Sequence, residues 1–361
     1  MKSRSSKTKS PKTPRTDLPG PDVHGLRELP GLQVDGYSLQ LRDKDGFVGD
    51  QASQTAFREL LERWRERRRK TGKDPLGASH SSDLSKKQLD LALQKTVSEA
   101  ADVMHGAIEE FAEELAFVIQ RFKRQPSWEK VQRIVIGGGF PESDVGERAI
   151  LQTGAILEEM GVHVQLGRLS HDVDDGGLIG WVHLAPPAML KGHDAILAVD
   201  IGGTNVRCGI VKTRHRKAHD FSLAKVVRRE KWRHVDEDPN RGNMVDHIAE
   251  MLADMVRYSE RKKLRLAPFI GIGCPGLIRQ DGSISRGAQN LPGDWESHAF
   301  HLPSEVWRRM PMIGSGPTLV LMHNDAVVQG LSELPFMRDV KHWGVLTIGT
   351  GLGNASFTNL P

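Results

Sequence analysis

The segment Ala195–Val211, AILAVDIGGTNVRCGIV, constrains the fold more than any other part of the sequence. The apolar run predicts a buried strand ending at Asp200, and a second apolar stretch follows a glycine-rich turn, so we expect a β-hairpin. Glycines let the backbone approach a bulky anion, Thr204 offers a hydroxyl and an N–H, and Asp200 can hold a hydrated Mg²⁺ beside a polyphosphate. An ordinary hairpin with a glycine-rich turn is the alternative interpretation.

The composition is that of a globular protein. A chain of 361 residues, 38% of them apolar, has enough material for about two domains. Its two cysteines, Cys208 and Cys274, favour neither a Cys-rich zinc site nor a disulfide framework, so we expect a reducing compartment, the cytoplasm. We expect neither a membrane span nor a signal peptide, because no apolar segment follows the basic N-terminal residues.

The net charge of +4 comes from the N-terminal segment. Met1–Arg15 holds six Lys and Arg residues among Ser, Thr and Pro and contains no acid, which predicts a disordered tail. Such a tail can contact RNA, DNA or an anionic membrane through counterion release, but a solvated tail without that function is the favoured interpretation. We therefore expect neither nucleic acid nor membrane as a partner.

A second glycine cluster lies in Arg133–Phe140, RIVIGGGF. The pattern predicts a strand that enters Gly137, Gly138 and Gly139, followed by a helix over Ser143–Met160. Bare backbone there lets a flat ring or a phosphate lie close to the helix start. A simple strand-to-helix turn is the alternative, but three successive glycines cost stability, so a ligand is favoured.

The opening pattern recurs in Gly344–Phe357, again a strand, a glycine turn with a threonine, and a strand. Two facing hairpins of this kind can grip a polyphosphate from both sides with backbone N–H groups. Between them the strand Leu319–Met322 runs out toward Asp325, where a helix begins. The Asp325 carboxylate can face a ligand from there, or it can cap the helix.

Apolar periodicity predicts further elements. We expect long helices over Asp50–Arg69, over Lys87–Phe122 with a break near Ser98, and over Asn243–Glu260. The basic run Arg63–Lys70 is interpreted as a solvated helix face. Leu29–Leu41 predicts a short extended region with a turn at Asp35–Gly36.

Five motifs, in this order, resemble the ROK family of bacterial sugar kinases and sugar-responsive repressors. They are DIGGTN (Asp200–Asn205), GIGCPGLI (Gly271–Ile278), AQNLPGDW (Ala288–Trp295), HNDA (His323–Ala326) and LTIGTGLG (Leu346–Gly353). The resemblance implies an α/β fold, the two-lobed actin/hexokinase-like (ribonuclease H-like) ATPase fold, with ATP and a sugar in the cleft. It also allows a homodimer.

The resemblance assigns roles residue by residue. It implies Asp325 as catalytic base, Asn290, Asn324 and Asp325 as contacts to the substrate hydroxyls, and Asp200 as the residue beside Mg²⁺. The implied contacts to ATP are Asp200, Gly202, Gly203, Thr204 and Asn205 in the first hairpin, Gly349, Thr350, Gly351 and Gly353 in the second, and Gly137, Gly138 and Gly139 as the adenosine motif.

The order of the remaining motifs departs from the family. Its adenosine motif normally follows the second hairpin, and its last segment resembles Asp174–Gly180, DDGGLIG, yet both precede the first hairpin here. A circular permutation, tolerated where the original termini are close, explains this if residues Leu32–Ala185 are the usual C-terminal part. It predicts that Leu346–Phe357 and Leu32–Leu41 share one sheet. The expected division is a tail (1–28), a nucleotide-side lobe (29–190), a phosphate and substrate lobe (191–325) and a return to the first lobe (326–361).

A second departure concerns the acceptor. The family's Glu-x-Gly-His and the Cys-rich zinc motif are not found where they would be expected, so no zinc site is predicted and glucose is doubtful as acceptor. Two hypotheses follow: an ATP-dependent carbohydrate kinase with Asp325 as general base, or a catalytically silent regulator that binds nucleotide or sugar. No winged helix is recognised before residue 30, and both hairpins and Asp325 are retained, so the kinase is favoured.

Overall fold

The computed structural model describes residues 24–44, 46–94 and 98–361. The predicted tail Met1–Arg15 lies outside the described residues. Residues 24–28, also assigned to the tail, are part of the fold, since the Gly25 N–H donates to the Met322 carbonyl at 3.1 Å. None of the helices in the described part of the chain has the length and apolar character needed to cross a membrane.

The elements alternate between strands and helices along the chain. The strands are β1 (Glu28–Leu29), β2 (Leu32–Tyr37), β3 (Arg42–Asp43), β4 (Gly46–Phe47), β5 (Arg133–Gly137), β6 (Gln165–Arg168), β7 (Ala195–Ile201), β8 (Val206–Lys212), β9 (Lys225–Trp232), β10 (Leu266–Cys274), β11 (Met312–Ile313), β12 (Gly316–Pro317), β13 (Leu319–Asn324), β14 (His342–Ile348) and β15 (Leu352–Asn359). The helices are α1 (Gln54–Arg69), α2 (Lys86–Leu93), α3 (Glu99–Lys123), α4 (Asp144–Glu159), α5 (Val173–Ile179), α6 (Pro187–Leu190), α7 (Arg241–Arg261), α8 (Leu302–Arg309) and α9 (Asp325–Glu333).

The larger sheet has the strand order β1-β2-β15-β14-β5-β6. β14 and β15 form a hairpin, and β14, β5 and β6 are parallel. β2 pairs antiparallel with β15, so that Leu32 lies opposite Asn359. The prediction that the second hairpin and the strand beginning at Leu32 share one sheet is therefore confirmed, although they lie at opposite ends of the chain.

The predicted turn at Asp35–Gly36 is wrong. Val34 pairs with Phe357 and Gly36 with the adjacent Ser356, so Asp35 is an extra residue, and the segment continues as strand β2 with a β-bulge. The Asp-Gly pair that favours a tight turn thus kinks a strand here.

The smaller sheet has the order β13-β10-β7-β8-β9. β7, β8 and β9 are successively antiparallel, and β10 is parallel to both β7 and β13. Both sheets therefore share one plan, in which a hairpin carries a third antiparallel strand on one side and two parallel strands on the other. This arrangement confirms the two-lobed α/β class predicted from the sequence.

Three apolar cores hold these layers together. One packs α1, α3 and α4 against the larger sheet, and another packs α7 and α8 against the smaller sheet. The middle core joins the two sheets through α5 and α9. These two segments approach so closely that a Cβ at Gly180 would lie 1.8 Å from the Val328 carbonyl oxygen, which explains the need for glycine there.

The predicted helix Lys87–Phe122 is divided into α2 and α3. The Ser98 hydroxyl accepts a hydrogen bond from the Ala101 N–H at 3.2 Å and so caps α3. The break predicted near Ser98 is therefore confirmed.

The basic run Arg63–Lys70 is only partly a solvated face. The Arg65 side chain is fully buried and pairs with Glu62 at 3.1 Å and with Asp74 at 2.9 Å. It also donates to the Ser81 hydroxyl at 2.9 Å. Arg65 thus fixes the loop between α1 and α2, because a buried guanidinium needs all of these acceptors.

Candidate active site

A cleft of about 790 Å³ lies between the two sheets. The turns of both glycine hairpins, the Gly138–Gly139 segment, the loop around Asn290 and the start of α9 all line it. The structure therefore brings together the predicted site residues, with the exception of Gly137. A Cβ at Gly137 would lie 2.7 Å from the Gln329 Oε1 atom, so Gly137 serves packing beneath the cleft.

The two hairpin turns meet across the cleft. The Thr204 and Thr350 hydroxyl oxygens lie 2.6 Å apart and share a hydrogen bond. The turns differ in length. The first joins β7 to β8 through four residues, and its Gly202 N–H donates to the Asn205 carbonyl at 2.9 Å, whereas the second joins β14 to β15 through three, and its Gly349 N–H donates to the Gly351 carbonyl at 3.0 Å. The two turns thus lie close together, as a two-sided phosphate grip requires.

Asn290 lies beside both turns. A Cβ at Gly203 would be 3.2 Å from the Asn290 Cβ, and one at Gly351 would be 3.6 Å from the Asn290 Nδ2. A Cβ at Gly203 would therefore press on Asn290, whereas one at Gly351 would only touch it, and the outer atoms of a branched side chain at either glycine would enter the space beside Asn290.

The N-terminus of α1 holds the second turn. The Gln54 N–H donates to the Gly349 carbonyl at 2.9 Å, and the Thr55 hydroxyl donates to the Thr350 carbonyl at 3.1 Å. The start of the helix is fixed in turn by Ser53, whose hydroxyl accepts from the Ala56 N–H at 3.0 Å. Sequence reasoning missed these contacts, since the partners lie at opposite ends of the chain.

The predicted adenosine motif, Gly137–Gly139, begins at the last residue of β5 and needs glycine at its second position. Gly138 has a φ of +84°, and a Cβ there would lie 2.4 Å from the Ile348 carbonyl oxygen. At Gly139 a Cβ would lie 3.4 Å from the Lys86 Nζ and 3.8 Å from the Gln54 Oε1. The motif thus opens toward polar side chains of α1 and α2, which the sequence analysis did not single out.

Asp200 lies at the end of β7 within a network of charges. Its carboxylate pairs with Arg207 at 3.1 Å, and Arg207 pairs with Asp174 at 2.5 Å. Lys231 joins the network through Asp174 at 3.0 Å. Burial raises the pKa of Asp200, and the Arg207 charge opposes that rise.

Asp325 is not the cap of α9, so that alternative is wrong. Asn324 caps the helix, because its Oδ1 accepts from the Val327 N–H at 3.2 Å, while Asp325 is the first helical residue. Both residues suit the cap, and the backbone leaves the β conformation only after Asn324. The Asp325 carboxylate therefore does not cap the helix. Its Oδ1 accepts from the Ala326 N–H at 2.9 Å, and the Asp325 backbone and the Asn324 side chain also hydrogen-bond to it.

The environment of Asp325 changes its acidity. Burial, together with the negative charge of Asp200, raises the pKa of Asp325 to about 7. The two carboxylates flank Gly273, where a Cβ would lie 3.6 Å from the Asp325 Cα and 3.7 Å from the Asp200 Oδ1. A carboxylate whose pKa lies near neutral pH is suited to accept a proton.

His323 fixes the backbone before Asp325. Its Nε2–H donates to the Leu26 carbonyl at 2.8 Å, and its Nδ1 accepts from the Asn324 N–H at 2.7 Å. Burial lowers the pKa of His323 to about 4, so the ring is neutral at neutral pH. The Asn324 amide donates to the Gly276 carbonyl at 3.0 Å, so its oxygen and its nitrogen already serve the protein. Asn290 is exposed in the cleft by comparison.

The donor set fits magnesium held mainly by phosphates. Within the described ranges, no group of three or more His, Cys, Asp and Glu side chains is arranged to hold a metal alone. Mg²⁺ at a nucleotide site needs only one or two protein carboxylates besides phosphate oxygens and water, and Asp200 can supply one. The predicted absence of a zinc site stays a prediction.

Similarity to known proteins covers only part of the chain. No protein-family model matches it. A protein named Glucokinase, from Thermotoga maritima, is 30% identical over 166 residues, which are 45% of this chain and 44% of that protein. The chain thus spans less than half the length of the curated relative it matches.

Solved structures give partial matches as well. A candidate sugar kinase of Cytophaga hutchinsonii is 20% identical, with a TM-score of 0.33, over 46% of this chain and 48% of that one. A candidate N-acetylmannosamine kinase of Listeria monocytogenes is 24% identical, with a TM-score of 0.30, over 46% and 47%. The Ppx/GppA phosphatase of Aquifex aeolicus is 14% identical, with a TM-score of 0.25, over 51% and 55%.

Proposed function

We propose that the protein is an ATP-dependent carbohydrate kinase that transfers the γ-phosphate to a sugar hydroxyl. The observation that carries this proposal is the contact of the two glycine turns, whose threonine hydroxyls lie 2.6 Å apart, in the cleft that the buried Asp325 also lines. The partial similarity to a glucokinase supports the same class. A homodimer, implied by the family resemblance, and a cytoplasmic location, expected from the cysteine usage, stay predictions.

In the proposed reaction, backbone N–H groups of the two turns hold the β- and γ-phosphates of ATP. The Asp325 carboxylate accepts the proton of the acceptor hydroxyl as its oxygen bonds to the γ-phosphorus. The bond between that phosphorus and the β–γ bridging oxygen breaks, and ADP leaves with the electron pair. Mg²⁺, when bound beside Asp200, would neutralise the phosphate charge.

We also propose that the chain is a circularly permuted member of the ROK family, divided at the boundaries 29–190, 191–325 and 326–361. The position of β2 beside β15 supports this, because β2 takes the place that β9 has in the smaller sheet. The Leu360 N–H also donates to the Gly31 carbonyl at 3.0 Å, so the two segments that a permutation separates lie together.

One observation favours the regulatory alternative. Arg207 pairs with Asp200 and so competes with any metal ion for that carboxylate. A protein in which this pair persists would bind a nucleotide or a sugar without turnover.

The two functions differ in one measurement, the ADP released from MgATP across a panel of sugars. We expect ADP release that depends on the acceptor, with the phosphorylated sugar formed in equal amount. Binding of ATP in calorimetry without acceptor-dependent ADP release would contradict the kinase and support the regulator.

A further inference from the structure

A short segment after β2 enters the cleft from the larger sheet. Ser38, the first residue of this segment, has a φ of +51°, in the left-handed region that few non-glycine residues adopt. Such backbone persists only where its surroundings hold it, and it is frequent at binding sites. Contacts from β15 and from the loop that carries Asn290 hold Ser38 and the residues after it.

Asn354 holds the segment from β15. Its backbone carbonyl accepts from the Ser38 N–H at 3.0 Å. Its side-chain oxygen accepts from the Leu39 N–H at 2.9 Å, and its side-chain amide donates to the Leu39 carbonyl at 3.1 Å. Asn354 is itself buried, so these three bonds fix the backbone rigidly.

The segment contacts the loop that carries Asn290. A Cβ at Gly287 would lie 3.3 Å from the Ser38 hydroxyl oxygen and 3.4 Å from the Gln40 Nε2. A Cβ at Gly287 would also lie 2.9 Å from the Gly276 Cα. The Gly276 carbonyl in turn accepts from the Asn324 amide, next to Asp325. We call Ser38, Gln40, Gly276, Gly287 and Asn290 the acceptor wall.

The acceptor wall consists of hydroxyl, amide and backbone groups. The cations that the described residues place around the cleft lie elsewhere and are engaged. Lys86 pairs with Glu142 at 2.7 Å beside the adenosine motif, and Arg58 donates to the Ser81 carbonyl at 3.0 Å. Arg207, Lys231 and Arg233 pair with acids near β8 and β9.

The positions of these cations indicate what charge the acceptor carries. An anionic acceptor on the wall would lie in the same cleft as the buried carboxylate of Asp325, and the cations of that cleft are already engaged, Arg207 with Asp200 and Asp174. A buried negative charge without a free cation is costly at low dielectric. Hydroxyl and amide side chains instead match a compound with several uncharged hydroxyls, since each can donate and accept.

We propose that Ser38 and Gln40 determine acceptor specificity, that Asn354 positions them, and that the acceptor is an uncharged polyhydroxyl compound. This inference rests on the proposed kinase function, but the binding of the acceptor tests it without turnover.

The first experiment compares Gln40→Ala with Gln33→Ala. Gln33 lies in β2, just before this segment, is half-buried and donates to the Val34 carbonyl outside the cleft, which makes it a matched control. We expect Gln40→Ala to raise the acceptor KM about tenfold, as the loss of one hydrogen bond to substrate does, with kcat and the KM for ATP nearly unchanged. Gln33→Ala should leave all three values unchanged.

Calorimetry of the best neutral sugar, without ATP, separates the two proposals. If the wild-type protein binds the sugar and Gln40→Ala weakens that binding, the wall is supported whether or not ADP is released. Equal acceptor affinity in Gln40→Ala and the wild type would overturn the wall and leave the kinase standing. Failure of every neutral sugar to bind would overturn the wall as well.

The class of acceptor is tested with one sugar in neutral and phosphorylated form. We expect the neutral form to bind at least tenfold more tightly, and tighter binding of the phosphorylated form would overturn the inference.

The role of Asn354 is tested with Asn354→Asp. This change keeps the size but places an oxygen against the Leu39 carbonyl. We expect a raised acceptor KM, and we expect the double variant with Gln40→Ala to be little worse than Asn354→Asp alone, because both act through one wall. Independent effects that multiply would overturn the positioning role.

Discussion

The two glycine hairpins have similar sequences but are fixed by different means. Asp200 precedes the first turn and belongs to a network of buried charges, whereas Thr347 occupies the corresponding place in β14. The second turn is held by backbone and hydroxyl contacts from α1. One lobe therefore supplies charge to the cleft and the other supplies rigid backbone. Two similar sequence patterns thus take different roles because different residues surround them.

The largest effect, on ATP affinity, is expected from side chains added at the glycines of the two turns. Gly203→Val and Gly351→Val should each reduce ATP affinity more than 100-fold, because the outer atoms of a branched side chain would enter the space beside Asn290. Calorimetry with ATP measures this. Gly167→Val is the control, since a Cβ at Gly167 meets nothing within 4 Å. Unchanged ATP affinity in either hairpin variant would contradict the grip.

Arg207→Gln tests the charge network beside the first hairpin. Removal of the cation leaves Asp200 and Asp174 buried with less compensation, so we expect a loss of about 3 kcal/mol in unfolding free energy at pH 8. Burial has already raised the pKa of Asp200, and the variant raises it further. The free-energy cost of the ionised Asp200 is absent below its unfolded-state pKa and grows as pH rises through its folded-state pKa. The loss of unfolding free energy should therefore be smaller at pH 5 than at pH 8.

Urea unfolding at both pH values measures this difference. Arg257→Gln is the control, because Arg257 and its partner Asp254 are both exposed and such pairs contribute little. An equal loss at pH 5 and pH 8 would show that the Asp200 charge does not matter to the first hairpin.

The smallest effect, on the KM for ATP, is expected from the contacts between α1 and the second turn. Thr55→Ala removes one exposed hydrogen bond to the Thr350 carbonyl and should raise the KM for ATP about threefold. Thr71→Ala is the matched control, since the Thr71 hydroxyl bonds at 3.0 Å to the Arg68 carbonyl at the other end of α1. Steady-state kinetics distinguishes the two, and an identical KM in both variants would remove α1 from the account of the second hairpin.

The hairpins could be predicted from the sequence because their signals are local. Strand periodicity, the glycine turns and the break at Ser98 each depend on a few adjacent residues. The sheet partner of β2 followed from the order of the motifs and the resemblance to a family.

What escaped prediction depends on distant contacts or on residues that suit two roles. The contact between Thr55 and Thr350 joins residues far apart in the chain and leaves no periodic signal. Arg65 lies in a run of charges, and only the fold brings Asp74 and Ser81 to it. Asp35–Gly36 suits a turn or a bulge, and Asn324 and Asp325 suit a helix cap equally.

The central claim is that Asp325 accepts the acceptor's proton, and Asp325→Asn tests it most directly. Its pKa of about 7 lies above the 3.8 of an ordinary aspartate, so the carboxyl group is stabilised in its neutral form. The stability it contributes is present below about pH 4 and is lost as pH rises through 7. The asparagine variant should therefore be more stable than the wild type at pH 8, and wild-type kcat should rise with pH through about 7.

The decisive measurement is the turnover of the best acceptor by Asp325→Asn at pH 8, with ATP affinity measured in parallel. The account predicts that kcat falls by roughly 10²–10⁴-fold while ATP binds nearly as tightly as in the wild type. Turnover close to the wild-type rate would contradict it, because the variant keeps the shape of Asp325 and lacks only the proton acceptor.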